Sequence, residues 1–321
     1  VALTVNVIRI VRNLETVAGK DYPTLRLTLE RRVRALESKL TQTRSEEARS
    51  YTLPLAGIRP DMRNAVGEKT ANLAEMKNTL KLSVPKGFVL TTRAYQRFYE
   101  HNHLGTGINT LRMDFNVHDP ESVKSTSRRI QDLILAAAFP PDLLEAFLTA
   151  YQELKQRCGP DLRVAVRSSA IGEDSVQSSF AGLYESYLNV TGEELLNAYK
   201  RVLASKYTTR ALYYKANKGL VDDDIPMCVC CIQMVDAVVS GVMYTRDPFH
   251  PGRVHISAGW GLGPGIVSGA ISPDIFSLDK ETGRIVEKKV SDQPMMLVSE
   301  AGKGTCEVPV PRLHADEACL T

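Results

Sequence analysis

The sequence predicts an α+β protein, because helix-forming and strand-forming patterns occupy different parts of the chain. Apolar residues recur at helical spacing over three long segments, which are 123–138, 141–157 and 193–214. Short apolar or alternating runs follow at 227–235, 240–244, 254–257 and 275–279. Because no long helix separates these later runs, we expect antiparallel pairing rather than a simple parallel sheet.

Residues 1–50 are predicted to form a helical hairpin and linker that precede the main body, 51–321. Leu25, Leu29, Val33, Leu36 and Leu40 follow one another at spacings of four, four, three and four, which is one face of a helix. Two roles fit such a hairpin: it pairs two copies of the chain as a homodimer, or it joins the body to an upstream domain.

The charge and cysteine content narrow the class of protein. The net charge is +3, and the basic excess lies in residues 1–50, so the body has no basic stripe of the kind that binds nucleic acid. No run reaches the roughly 20 apolar residues of a membrane span. Three of the six cysteines fall together in the apolar run 227–233, where they fit a buried strand better than a metal site. We therefore expect a cytoplasmic protein, and the initial Val1 suggests a fragment of a longer chain.

The first candidate site is the segment 65–76, where Gly67 precedes a predicted helix. Lys69 lies in the first helical turn, where backbone N–H groups and the helix dipole already favour an anion. A lysine there can add a point charge to a phosphate. Since the segment lacks the full GxxxxGKS/T pattern, an ordinary solvated lysine remains the alternative.

The second candidate is the segment 164–174, in which a short apolar strand leads into Arg167, Ser168 and Ser169. An arginine at the end of a strand can hold a phosphate through two parallel hydrogen bonds. The alternative is a structural ion pair with Glu173 or Asp174.

Two later segments complete the candidates. Small residues before the strand candidate 184–190 can form a flap whose backbone N–H groups cover phosphates, or else an ordinary hairpin turn. Gln233, between two apolar strands, can read the edge of an adenine, or else belong to a plain core hairpin.

These segments, taken in order, closely resemble the N-terminal ATP-binding domain of the phosphoenolpyruvate synthase and pyruvate phosphate dikinase family. The matching stretches are Val66–Lys69, Pro85–Val89, Val164–Asp174, Ser179–Val190, Ile232–Val235, Ser240–Pro248 and Gly261–Asp274. They span about residues 52 to 310, and seven matches in one order are far more specific than any single motif.

The resemblance implies an ATP-grasp fold, here truncated at its C-terminal end, with subdomains of about 51–165 and 166–321. Lys69 and Arg167 match family positions that contact ATP phosphates and would be the catalytic residues. The implied nucleotide contacts are Lys69, Arg167, Ser168, Gly182, Ser186 and Gln233. Ser186 stands where the family often has threonine, and Gln233 matches a glutamine near the adenine. No residue of this chain is assigned as a metal ligand.

In the family, ATP and Mg²⁺ deliver phosphate to a histidine on a separate domain, which carries it to pyruvate in a third domain. The resemblance therefore implies an ATP-dependent phosphotransferase whose partners are those two domains of the same parent chain. The fragment alone is expected to be incomplete for the full reaction.

Two departures from the family pattern keep alternatives open. Glu68 replaces the second glycine of GGK, and Pro264 replaces a glutamate. The chain also ends before the acidic DIEW-like and QxRP segments. One alternative is a related dikinase with another acceptor, such as a rifampicin-type antibiotic or a glucan. The other is a non-catalytic ATP-sensing module on the same fold.

Overall fold

A computed structural model describes the main body of the chain and isolated positions before it. The described residues are 50–113, 115–171, 182–217, 226–247, 249–300, 304–311 and 317–320, the backbone of 174–175 and 178–179, and, before residue 50, positions 11, 14, 15, 17–20, 22–25, 28, 31 and 32. The predicted hairpin of residues 1–50 therefore lies largely outside the described residues, and its role in a homodimer stays a prediction. The chain divides into two compact units, Val1–Gln233 and Met234–Thr321.

Four of the five helices predicted for the main body lie close to their predicted bounds in the first unit. The helices of this unit are α1 (Arg63–Val66), α2 (Glu68–Asn78), α3 (Thr92–His101), α4 (Leu104–Leu111), α5 (Pro120–Ala136), α6 (Pro141–Cys158), α7 (Leu195–Ala204) and α8 (Thr209–Asn217). Asp119 caps α5 by accepting the N–H of Glu121, and Pro120 occupies the first position, where its missing donor is not needed. No single helix in the described part of the chain has the length and apolar character for crossing a bilayer; α5 and α6, bent by 79°, meet that test only as a pair.

Five antiparallel strands form the sheet of the first unit. They are β1 (Thr52–Pro54), β2 (Gly87–Leu90), β3 (Val164–Ala170), β6 (Ser186–Val190) and β7 (Met227–Gln233), and they lie in the order β1-β2-β7-β3-β6. Two short strands, β4 (Asp174–Ser175) and β5 (Ser178–Ser179), pair with each other between β3 and β6 in the chain. The α+β prediction is thus confirmed, and the sequentially distant β7 lies at the centre of the sheet.

One face of this sheet carries the main hydrophobic core. Phe88, Val166 and Cys231 pack there with helical residues such as Phe147 and Tyr199. The rings of Phe88 and Phe147 meet edge to face with centroids 6.0 Å apart, and those of Phe147 and Tyr199 with centroids 5.7 Å apart. The helices therefore cover this face.

The alternation of side chains along β3 and β7 decides which residues reach the other face. Arg167 lies directly opposite Cys230, and Ser169 directly opposite Cys228, so these four side chains share the face that does not carry the core. Cys228 and Cys231 have the sequence spacing of a metal-binding pair but point to opposite faces of β7. The three cysteines are buried and free, as the sequence predicts for a core strand.

The predicted helix 193–214 is wrong at its middle. A 3₁₀ turn at Ser205–Tyr207 separates α7 from α8, and Thr208 is extended. Lys206, in the turn, is buried and donates to the hydroxyl of Tyr95 at 3.0 Å, while the buried Lys215 donates to the carbonyl of Lys206 at 2.7 Å. These tertiary hydrogen bonds, which satisfy two buried ammonium groups, override the continuous helical pattern.

The second unit is built on a four-stranded antiparallel sheet and a hairpin. The sheet contains β8 (Val239–Tyr244), β9 (Arg253–Trp260), β10 (Asp274–Asp279) and β11 (Ile285–Lys289), in the order β11-β10-β9-β8, and the hairpin pairs β12 (Met295–Glu300) with β13 (Gly304–Pro309). A short helix, α9 (Pro264–Val267), joins β9 to β10. The small hydrophobic core of the second unit contains Ala258, Phe276 and Cys319.

The two compact units meet at Gln233 and Met234, whereas the sequence predicts a subdomain division near residue 165, which stays a prediction. The boundary lies at Gln233 and Met234 because β3, β6 and β7 all belong to the first sheet. A cut at residue 165 would run through β3, which is bonded along its length to β7.

Candidate functional site

The candidate site begins at Gly67, which links α1 to α2. Its φ of +78° lies in the left-handed region that side chains disfavour. A Cβ at this position would overlap the Ser169 carbonyl oxygen and lie 2.5 Å from Ser169 Oγ. Glycine is therefore required both for the turn and for the close approach of the helix to β3.

Ser169 fixes the start of α2 on β3. Its hydroxyl donates to the Val66 carbonyl at 3.0 Å and accepts the N–H of Thr70 at 3.1 Å. Ser169 is fully buried, so these two bonds use its hydroxyl without competition from water. Since Thr70 follows Lys69, the first turn of α2 is held against the Arg167 face of the sheet.

Lys69 and Arg167 are therefore brought to the same face. Lys69 is half-buried in the first turn of α2, and Arg167 is exposed on β3, two residues before Ser169. Cys230 lies directly opposite Arg167 on this face. Burial raises the pKa of its thiol to about 11, against smaller lowering effects from the Thr70 hydroxyl and the Arg167 charge. The hydrogen bond from the Thr70 N–H to Ser169 places the first turn of α2 against the face that carries Arg167.

Ser186 joins this face from the neighbouring strand. It is exposed on β6 and lies directly opposite Arg167 in the pairing of β6 with β3. Gly182 occupies the turn before β6 with φ +69°, and a Cβ there would meet nothing within 4 Å. The side chains of Glu173 and Asp174, the alternative partners for Arg167, lie outside the described residues.

Two residues of the predicted nucleotide site lie on the other face. Ser168 is buried in β3 opposite Val229, on the core side. Gln233 pairs with Val164 on that side, and its Oε1 accepts from the Cys158 thiol at 3.4 Å. The fold thus brings Arg167, Ser186 and the helical turn that bears Lys69 to one face of the sheet, and it places Ser168 and Gln233 on the other face.

The structure adds a residue that sequence reasoning missed. Ser169, rather than Ser168, shares the Arg167 face and contacts the helix that bears Lys69. The period of two along a strand was the available signal, since residues 167 and 169 must point the same way.

Both departures from the family pattern are accommodated locally. Glu68 lies in the first turn of α2, where an acidic side chain interacts favourably with the helix dipole. Pro264 is the first residue of α9, where no backbone donor is required. Neither substitution disturbs the helix that it begins.

The described residues offer no evident metal centre. Within the part of the chain that the structure describes, no three His, Cys, Asp or Glu side chains lie close enough to hold an ion. The site is instead cationic and hydroxyl-bearing, which suits an anion.

An α+β domain that holds a lysine, an arginine and a hydroxyl on one sheet face, beside a helix start, has the features of a phosphate-binding protein. Comparison with known proteins defines it further. The family described as "Pyruvate phosphate dikinase, AMP/ATP-binding domain" matches residues 63–321, and the chain belongs to it. The resemblance inferred from the motifs is thereby confirmed.

Relatives from archaea and bacteria share about a third of the aligned residues. The chain is 36% identical to "Probable phosphoenolpyruvate synthase" of Methanocaldococcus jannaschii over 249 residues, which is 76% of this chain and 21% of that protein. It is 35% identical to "Phosphoenolpyruvate synthase" of Pyrococcus furiosus over 283 residues, 76% of this chain and 34% of that protein. It is 34% identical to "Rifampicin phosphotransferase" of Bacillus subtilis over 260 residues, 80% of this chain and 29% of that protein. The chain thus spans about a fifth to a third of these relatives.

Proposed function

We propose that this chain is an ATP-grasp-type nucleotide-binding domain that presents the phosphates of ATP for transfer to a histidine on another domain. The observation that carries the proposal is that Arg167 and Ser186 share the sheet face against which the turn bearing Lys69 is held. Pyruvate is the proposed final acceptor, because the relatives named above include phosphoenolpyruvate synthases.

The side chains on this face suit a polyphosphate. The Arg167 guanidinium can bind two oxygens of one phosphate, and Lys69 adds a compact positive charge near the N-terminus of α2. Such a domain contributes to phosphoryl transfer by positioning and by neutralising charge, with little covalent chemistry of its own. Lys69 and Arg167 are accordingly the proposed catalytic residues.

Magnesium is proposed to enter as the chelate of ATP. The described residues supply no cluster of carboxylates for it, so we assign it no protein ligand. When bound, the ion would neutralise phosphate charge alongside the two basic side chains.

The partners of this domain are proposed to lie in the same parent protein, in a cytoplasmic setting. The relatives are about three to five times longer than the stretch that they share with this chain. Their extra length is sufficient for a phosphohistidine domain and an acceptor domain.

A second acceptor class is favoured by one observation. The Bacillus subtilis rifampicin phosphotransferase is 34% identical, which is close to the value for the synthases. An antibiotic of that type is therefore the alternative acceptor, and the ATP-binding step would be the same. Glu68 and Pro264 each begin a regular helix without distorting it, so neither residue supports the ATP-sensing alternative.

Calorimetric titration with Mg-ATP tests the nucleotide site. We expect Lys69→Ala and Arg167→Ala each to weaken binding by about 1–3 kcal/mol, the scale of a lost charge-assisted contact. Matched controls are Lys124→Ala and Arg129→Ala, which remove exposed charges from α5 and leave binding unchanged. Equal affinity of the site variants and the controls would refute the nucleotide site.

The acceptor is tested in the full-length parent protein. Incubation with ATP should form an acid-labile phosphohistidine that is discharged by pyruvate. Discharge by rifampicin instead would establish the alternative, and no phosphohistidine at all would favour the sensing module.

A further inference from the structure

We propose that Ser169 is a positioning residue for the nucleotide site, acting through the turn that bears Lys69. This inference rests on the proposed ATP-binding function. Ser169 is buried and touches no ligand itself, but it fixes the turn that bears Lys69 relative to Arg167.

The hydroxyl of Ser169 both donates and accepts a hydrogen bond. It donates to the carbonyl of Val66, the last residue of α1, and accepts from the N–H of Thr70, in the first turn of α2. The donor and acceptor therefore span the α1–α2 junction on either side of Gly67. Because these partners are 103 and 99 residues away in the chain, the contact is tertiary and does not arise from local structure.

Cys228 adds a second attachment to the same junction. Its thiol donates to the carbonyl of Ala65 at 3.3 Å. Ser169 and Cys228 lie directly opposite each other on β3 and β7. Together their side chains hydrogen-bond to the backbone of Ala65, Val66 and Thr70 at the α1–α2 junction. The helix start is thus fixed to the two central strands of the sheet.

Because Arg167 and Ser169 lie on the same strand, fastening the turn at Ser169 also sets the distance of that turn from Arg167. Arg167 and Ser169 are two residues apart on one face, about 6.6 Å along the strand. The turn that carries Lys69 is fastened at Ser169, and Gly67 permits its backbone to approach β3 without a clash. The serine therefore sets where the lysine turn lies relative to the guanidinium before any nucleotide arrives.

Loss of the hydroxyl would release this preorganisation. The Thr70 N–H and the Val66 carbonyl would each lose a partner in a buried environment, and the first turn of α2 would shift to recover hydrogen bonds. Binding would then have to order the turn again, which lowers affinity without removing any ligand contact.

Ser169→Ala and a matched control separate positioning from general stability. Ser127→Ala removes another buried serine hydroxyl, which donates to the Tyr207 carbonyl at 2.8 Å away from this face. We expect both variants to lower the melting temperature. Only Ser169→Ala should weaken Mg-ATP binding, by about tenfold, the equivalent of about 1.4 kcal/mol.

A double-mutant cycle with Lys69→Ala supplies the readout that a purely structural serine would not move. If Ser169 acts through the lysine turn, Ser169→Ala should change ATP affinity less than twofold in the Lys69→Ala background. If the losses in binding free energy from Ser169→Ala and Lys69→Ala simply add in the double variant, the proposal is wrong.

Amide hydrogen exchange keeps the test independent of ATP binding. In the ligand-free protein, Ser169→Ala should speed exchange of the Thr70 N–H by tenfold or more, while Ser127→Ala leaves it unchanged. Should Ser169→Ala fail to fold, Ser169→Cys keeps the shape with a somewhat larger side chain and hydrogen-bonds weakly, and it carries the same expectations. Unchanged ATP affinity and unchanged exchange would overturn the proposal. If the wild-type protein binds no ATP, the proposed function fails, and Thr70 exchange still decides whether Ser169 fixes the turn.

Discussion

Asp274 accepts a hydrogen bond from the backbone N–H of Cys319 at 2.8 Å, across 45 residues of chain. Its other carboxylate oxygen accepts from the Ser291 N–H and from Gln293 Nε2, each at 2.9 Å. The carboxylate is fully buried, so it ties β10 to two later segments of the second unit. Burial alone would raise its pKa, but the hydrogen bonds outweigh burial and hold the pKa below its ordinary value.

Asp274→Asn should destabilise the second unit. An amide can replace only part of the acceptor set, so we expect a loss of about 1.5–3 kcal/mol in the free energy of unfolding, the scale for hydrogen bonds to a charged group. Chemical unfolding measures it, with Asp292→Asn, an exposed neighbour, as the control.

The pH dependence of this stabilisation follows from the lowered pKa of Asp274. The carboxylate contribution should be complete well above the unfolded pKa of about 3.9 and disappear as pH falls through the lower folded pKa. The difference between wild type and Asp274→Asn should therefore shrink between about pH 5 and pH 2; a constant difference would contradict this account.

Gly67→Ala should impair both folding and ATP binding. The new Cβ would meet the Ser169 backbone in a left-handed conformation, so α2 must move away from β3. We expect ATP affinity to fall at least tenfold, together with a lower melting temperature. Gly105→Ala is the matched control, because a Cβ in α4 meets nothing within 4 Å and alanine favours helix by roughly 0.5–1 kcal/mol. Wild-type affinity in Gly67→Ala would show that the close approach is unnecessary.

Ser186→Glu should block the phosphate site by charge. A carboxylate directly opposite Arg167 would pair with the guanidinium and repel the phosphates of ATP. We expect Mg-ATP affinity to fall by about tenfold or more, with part of the loss recovered at high salt. Ser186→Gln has nearly the same shape without the charge and should bind within about threefold of wild type. Equal losses in the two variants would point to steric obstruction instead.

Thiol titration should distinguish the cysteines by burial. Cys228, Cys230 and Cys231 are buried in β7, whereas Cys158 and Cys306 are partly exposed. Burial raises the pKa of Cys230 to about 11 and that of Cys319 to about 12, so their reactive thiolate is scarce at pH 8. The native protein should therefore react quickly at Cys158 and Cys306 and release the remaining thiols only in denaturant. Rapid modification of Cys230 in the native state would contradict the burial of this strand.

Local patterns in the sequence predicted most of the helices and strands and drew attention to Lys69 and Arg167 as candidate site residues. The helices at 123–138 and 141–157 and the strand at 227–235 depend on periodicity within a few turns, which neighbouring residues determine. The interruption at Ser205–Tyr207 could not be predicted, because it depends on the partners that buried Lys206 and Lys215 find elsewhere in the fold.

The arrangement of the site required information that no local pattern contains. Which residues of β3 face Lys69 depends on the pairing of β3 with β7, some 60 residues later, and on the packing of α2 against that pair. For this reason the shared face of Arg167, Ser169 and Ser186 follows from strand pairing alone, and the predicted roles of Arg167, Ser168 and Ser186 in nucleotide binding stay predictions. Of the strands in the first sheet, the central β7 comes last in the chain, so the first compact unit extends to Gln233, well beyond residue 165.

The alternation along β3 has a consequence for how the gene can change. A single codon inserted or deleted within Val164–Ala170 would exchange the two sides of the strand, turning a guanidinium towards packed aromatic rings and a valine towards the ligand. A point substitution alters one side chain, whereas a change in length alters the side of every residue beyond it, so natural variants of this segment should keep its seven residues in number.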